Sequence, residues 1–234
     1  LLMRGAADTV KKISLELGGH APFIVTNHAD IDKAVEGAIA SKFRNAGQTC
    51  VCANRILVQA GIYEEFTKRY AEKASRLKIG NGFEEGVEIG PLINQEAIDK
   101  AMAHIRDAEE KGAEIVIGGD TLSNQKGYYI TPTVISGATD DMLCMQEETF
   151  GPIAPIASFD EVEEAVERAN NTPFGLAAYV YSDKISEAIY IAENLEYGIV
   201  GVNDGMPSVA QAPFGGSKQS GLGREGSHHG IDEF

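Results

Sequence analysis

A cysteine closes the run Phe43-Arg44-Asn45-Ala46-Gly47-Gln48-Thr49-Cys50, and a carboxylate, Glu16, stands between two leucines in Leu15-Glu16-Leu17-Gly18-Gly19. A thiolate is a strong nucleophile toward a carbonyl carbon, and the thioester it can form holds a reactive acyl group. A carboxyl in apolar surroundings has its pKa raised toward neutrality and can take a proton from an attacking water. Cys50 and Glu16 together therefore have the equipment for a covalent thioester mechanism. Leu15 and Leu17 are expected to desolvate Glu16, while Gly18 and Gly19 let the backbone pass close to a ligand. Neither residue carries this reading alone. A single free cysteine is most often a small buried core residue, and a single glutamate at a strand end is most often a surface acid.

The elements that hold these residues follow from hydrophobic spacing. Ile31, Ala34, Val35, Ala38, Ile39 and Phe43 recur with helical period, and Asp30 is available as the cap. Gly47 stops that helix, which puts Cys50 in the turn beyond it or at the start of the next strand. Residues 54–59 predict a short buried strand, Ile62, Phe66, Tyr70 and Leu77 outline a second helix, and 96–111 a third. Further strands are expected at 115–117, 152–158, 176–181 and 198–203, with helices over 161–169 and 186–195. Residues 80–91 and 122–127 are turn-rich, but neither reads as a domain linker. Strands alternating with helices predict one α/β domain with a largely parallel sheet and flanking helices.

Composition narrows the function classes. With 234 residues, 43% hydrophobic and 24% charged, the chain can bury a full core. No apolar run approaches the ~20 residues of a membrane helix, so no membrane partner is expected. A net charge of −15 disfavours nucleic acid, whose phosphates require clustered Lys and Arg. Cys50, Cys52 and Cys144 do not make a secreted disulfide framework, and no histidine stands at metal-ligand spacing from Cys50 or Cys52. The expected compartment is reducing, most simply cytoplasmic, no metal is expected, and Cys144 reads as structural. The opening Leu1-Leu2-Met3 carries no start signal and reads as the interior of a longer protein.

Phe43 to Cys50, with Leu15-Glu16-Leu17-Gly18-Gly19 and Pro22 upstream, resembles the aldehyde dehydrogenase superfamily. The resemblance continues through Gln146-Glu147-Glu148-Thr149-Phe150-Gly151-Pro152 and through the glycine-rich run from Pro213 to Glu225. It implies that family's catalytic-domain fold, NAD or NADP as cofactor, and a small aldehyde as substrate. Cys50 is then the nucleophile that forms a thiohemiacetal, a nicotinamide takes the hydride, and Glu16 is the base for the water that hydrolyses the thioester. The resemblance further implies that Glu148 accepts hydrogen bonds from the nicotinamide ribose and that Phe150 lies by the ring. The glycine-rich run follows neither phosphate-loop pattern, and its glycines are expected as turns lining a substrate tunnel. Glu225 matches a glutamate proposed to relay protons, with a solvated acid beside Arg224 as the plain alternative.

The variant ending Thr49-Cys50-Val51-Cys52 is similar to the succinate-semialdehyde dehydrogenase branch. Members of that branch hold the substrate's distal carboxylate with an arginine and a serine, and the matching positions are Arg44 and Ser208. By themselves Arg44 would complement its helix C-terminus and Ser208 would be a loop serine. Glutarate semialdehyde stands close behind, because one methylene is worth only about 1–3 kcal/mol of discrimination. Cys52 matches the second cysteine of a C-x-C pair that forms a reversible disulfide in some relatives; residues i and i+2 of a regular strand are too far apart for that bond. The resemblance also divides the chain: 1–18 as the end of a nucleotide-binding domain, 19–216 as the catalytic domain, and 217–234 as a C-terminal segment returning toward the cofactor side. It covers only the later part of such an enzyme, without the phosphate-contacting glycines or the oxyanion-hole asparagine. Losing one oxyanion donor costs about 10²–10³ in rate. The expectation is that this chain alone is inactive and that the longer protein is an active homodimer or homotetramer. Two other classes stay open: a thiol esterase-like acyl-enzyme without redox activity, and a catalytically silent scaffold.

Overall fold

The computed structural model describes residues 1–122 and 126–234, so part of the predicted 122–127 turn lies outside the described residues. An exposed helix, α1 (Leu2–Ala7), precedes a short strand β1 (Leu15–Glu16). Then come β2 (Ala21–Val25), α2 (Ile31–Phe43), β3 (Ala53–Gln59), α3 (Tyr63–Ala74), α4 (Gln95–Glu110) and β4 (Glu114–Ile117). The second half contributes β5 (Thr133–Ser136), α5 (Leu143–Gln146), β6 (Ile153–Phe159), α6 (Val162–Asn170), β7 (Ala177–Tyr181), α7 (Ile185–Asn194), β8 (Ile199–Val202) and β9 (Gly221–Leu222).

One sheet of seven strands runs β4-β5-β6-β3-β2-β7-β8, parallel throughout except at the β4 edge. The α/β reading therefore holds, as do the capped helix and most predicted elements to within a few residues. Asp30 caps α2, its Oδ1 accepting from the Lys33 N–H at 3.2 Å. Hydrophobic spacing does not reveal β2, which lies in the middle of the sheet, or β5 beside β6. Every residue of β2 is buried, so it shows no alternation, and Pro22 argues against a central strand. The chain tolerates Pro22 because the β2–β3 register shifts at Ala21/Pro22. Phe23 then stacks on Tyr179 and Tyr181, with ring centroids 5.5 and 4.9 Å away, which locks β2 to β7.

A separate ribbon positions Glu16. β1 pairs antiparallel with β9, Leu15 opposite Leu222 and Glu16 opposite Gly221, so the end of the chain folds back onto its beginning. Gly221 is required there: its φ is +128°, and a Cβ would stand 1.8 Å from the Leu15 carbonyl oxygen.

Candidate active site

The segment between α2 and β3 is a left-handed turn. Asn45, Ala46 and Gly47 all have positive φ (52°, 56° and 74°), a conformation that is strained for L side chains and not for glycine. Gly47 is further constrained because a Cβ would fall 2.2 Å from the Gly151 carbonyl oxygen. The turn is fastened by its own amides. Asn45 Nδ2 donates to Gln48 O (3.0 Å), Gln48 Nε2 to Asn45 O (3.1 Å), and Gln48 Oε1 accepts from the Ile93 N–H (2.9 Å). Cys50 follows in the turn, half-buried, before the strand begins at Ala53.

Gly19 brings the Glu16 segment against this turn, since a Cβ there would lie 2.2 Å from the Cys50 carbonyl oxygen. Burial raises Glu16, and Glu225 nearby raises it further, against the opposing hydrogen bonding of the Cys50 thiol. The desolvation does not come from both flanking leucines as expected, because Leu17 is exposed; the half-buried carboxylate lies in the cleft lining beside the Cys50 thiol. Cys50 is pushed up to about 12, first by burial and then by the Glu16 carboxylate as acceptor and as charge. A thiol in that state stays protonated near neutrality.

A cleft of about 620 Å³ opens over this pair, and Glu16, Arg44, Cys50, Phe150, Ser208 and Glu225 all line it. Six of the eight residues singled out in the sequence thus meet in one cavity. Arg44 is exposed there and forms no ion pair among the described residues, and the Ser208 hydroxyl is buried without a hydrogen-bond partner. Thr49, which the sequence motifs did not single out, has the same orphaned hydroxyl in the same cleft. Its only signal was its place beside the nucleophile.

Glu148 does not line the cleft; its Oε1 accepts the Gly19 N–H at 2.8 Å. Burial raises it, while the Gly19 bond and the charge of Lys100 work the other way. Phe150 stands at the cleft with φ +55°, an outlier for an aromatic residue, and is 38% exposed. The segment between them is gripped by α4: His104 Nδ1 pairs with Thr149 Oγ1 at 3.1 Å, and Lys100 Nζ donates to the Glu148 carbonyl. Cys52 does not line the cleft. It is fully buried, donates to Gly47 O at 3.3 Å, and sits like Cys50 in the turn rather than in a strand. In the glycine-rich run, Phe214 and Glu225 reach the cleft, as does Gly226 just after it. Gly215 and Gly216 instead pack against the Gly198 backbone, so the glycines serve close chain approach more than the lining of a tunnel. Cys144 is buried on α5, as expected.

The aldehyde dehydrogenase family profile matches residues 1–234. The chain is 54% identical over 235 residues to the mitochondrial succinate-semialdehyde dehydrogenase of Rattus norvegicus, covering 100% of this chain and 45% of that one. It is 53% identical to a probable NADP(+) succinate-semialdehyde dehydrogenase of Sinorhizobium fredii, covering 100% and 48%. A solved succinate-semialdehyde dehydrogenase from Burkholderia pseudomallei superposes with a TM-score of 0.97 at 55% identity, over 100% of this chain and 48% of that one. The chain spans about half the length of the curated relatives it matches.

Proposed function

The chain belongs to the aldehyde dehydrogenase family, and from that premise we propose that it is the cysteine-bearing part of an NAD(P)-dependent succinate-semialdehyde dehydrogenase. The observation that carries the substrate is the cleft itself. Its lining joins a thiol and a carboxylate with a guanidinium that is unpaired among the described residues and a serine hydroxyl that has no hydrogen-bond partner there. Arg44 and Ser208 hold the distal carboxylate by charge-assisted hydrogen bonds, which presents the aldehyde carbon to Cys50.

The Cys50 sulfur bonds to the aldehyde carbon and its proton passes to the aldehyde oxygen, giving a thiohemiacetal. A nicotinamide held by Glu148 and Phe150 would supply the hydride acceptor that raises this carbon to the thioester level, the hydroxyl proton leaving to solvent. Glu16 takes a proton from water as the water adds to the thioester carbonyl; the sulfur–carbon bond breaks, the acid is released, and the Cys50 sulfur takes that proton back from Glu16. Glu225, which already raises Glu16, is the next carboxylate on the proton's way out. The residues present fit a dinucleotide's nicotinamide end: a half-buried carboxylate, Glu148, suits a ribose diol, and the half-exposed Phe150 ring suits a flat heterocycle. The β1–β9 ribbon, separate from the seven-stranded sheet, supports the division into 1–18, 19–216 and 217–234. For the longer protein we propose a homodimer or homotetramer in the cytoplasm. Three free thiols suit a reducing compartment, and among the described residues no helix is long and apolar enough to cross a membrane.

The test is turnover of succinic semialdehyde and of butanal by the longer protein, with Arg44→Ala beside it. A hydrogen bond to a charged group is worth about 1.5–3 kcal/mol, so kcat/KM for the semialdehyde is expected to fall roughly 10–150-fold while butanal is little changed. Equal losses for both aldehydes would remove the carboxylate clamp.

A further inference from the structure

Lys42 is wholly buried, and among the described residues no carboxylate lies within salt-bridge distance of it. An unpaired ammonium inside a protein costs far more than an apolar chain of the same length. Its position on α2 shows what it holds together. Nζ donates to Asn54 Oδ1 at 3.0 Å and faces Cys52 Sγ at 3.8 Å. Each partner reaches a different catalytic segment: Asn54 Nδ2 donates to Gly19 O at 3.5 Å, and Cys52 Sγ to Gly47 O at 3.3 Å. Gly19 in turn abuts the Cys50 carbonyl and donates to Glu148, and Gly47 abuts Gly151 beside Phe150. Three stretches distant in sequence, around Glu16, Cys50 and Glu148, are thus tied through neighbours of one buried cation.

We infer that Lys42 is a positioning residue, which through Asn54 and Cys52 fixes the Cys50 turn against the Glu16–Gly19 segment. This rests on the reading of Cys50 and Glu16 as the reacting pair. Besides Cys52, the titratable groups around Lys42 include Cys144, Glu148 and His20; those around Cys50 include Glu16, Glu148 and Tyr179. Lys42 therefore acts on Cys50 through geometry, not by direct contact.

The test measures iodoacetamide alkylation of Cys50 in the 234-residue chain, located by peptide mass, with and without Glu16→Gln. Removing the Glu16 charge lowers the Cys50 pKa, so the wild-type rate at fixed pH should rise at least about threefold, the factor given by half a pH unit of thiolate fraction. In Lys42→Met the same Glu16→Gln substitution should change the rate by a factor near one, because thiol and carboxylate no longer hold their spacing. A lysine with only a structural role would lower the melting temperature yet leave the threefold ratio intact, and that result overturns the inference. Asn54→Asp gives Lys42 a carboxylate and removes the donor to Gly19. It should also collapse the ratio, and a retained ratio there counts equally against the inference should Lys42→Met fail to fold. If Glu16→Gln leaves wild-type labelling unchanged, the Cys50–Glu16 pairing itself is refuted, a different outcome from failure of Lys42 alone.

Discussion

Replacing Gly47 by alanine adds two costs and brings no compensating contact. The left-handed conformation at φ +74° costs an alanine about 1–2 kcal/mol. Its new Cβ would also stand 2.2 Å from Gly151 O and 3.2 Å from Lys42 O, both backbone atoms that cannot swing away. Overpacking of that kind costs about 1–3 kcal/mol, which brings the expected loss to roughly 2–5 kcal/mol. For a chain of this size each kcal/mol lowers the melting temperature by about 2–4 °C, so the shift should be roughly 4–20 °C. Gly82 is the internal control: a Cβ there would meet nothing within 4 Å, and its backbone is not left-handed. Gly82→Ala should be neutral or slightly stabilising. Thermal unfolding followed by circular dichroism, with Cys50 alkylation on the folded samples, measures both variants. A Gly47→Ala chain that melts with Gly82→Ala and labels like wild type would refute the claim that this turn is held by backbone contact.

Two further outcomes follow from the buried titrating groups. The Cys50 thiol, pushed up to about 12, should show alkylation that climbs about tenfold per pH unit from neutrality to about pH 10 with no plateau; a plateau near pH 8 would contradict its burial beside Glu16. His20 is buried with neither ring nitrogen bonded and is lowered to about 3, by burial first and then by the charge of Arg55. A folded pKa below the unfolded one means the unfolded chain binds the proton more readily. Stability from this source is therefore complete above about pH 6.5 and falls by about 1.4 kcal/mol per pH unit as pH drops toward 3. Denaturant titrations at several pH values should show that slope in wild type and a shallower one in His20→Leu.

Much of this molecule was legible where local chemistry decides the outcome. The α2 helix reads directly from its apolar spacing and from Asp30, and Cys50 in its turn reads from Gly47. Six site residues met in one cleft because their motifs are short backbone devices: Gly19 and Gly47 work only at van der Waals contact with other chain segments. What stayed hidden depends on partners far along the chain. β2 is buried on both faces by α/β packing, and Pro22 is accommodated only by a register shift against β3. β1, which carries Glu16, is placed by pairing with β9 some two hundred residues later, while Leu17 beside it is exposed. His104, Lys100 and Lys42 touch the site segments from helices whose periodicity reveals a face but not what lies across it.

The central claim is that Cys50 carries the acyl group and that Glu16 activates the water which releases it. The most direct measurement is intact-mass analysis of the longer protein after succinic semialdehyde and NADP, comparing wild type with Glu16→Gln. With the base removed, a succinyl group should accumulate on Cys50 and map to its peptide, while wild type turns over without it. Product formation in Glu16→Gln at the wild-type rate, or an adduct on any residue other than Cys50, would contradict the account.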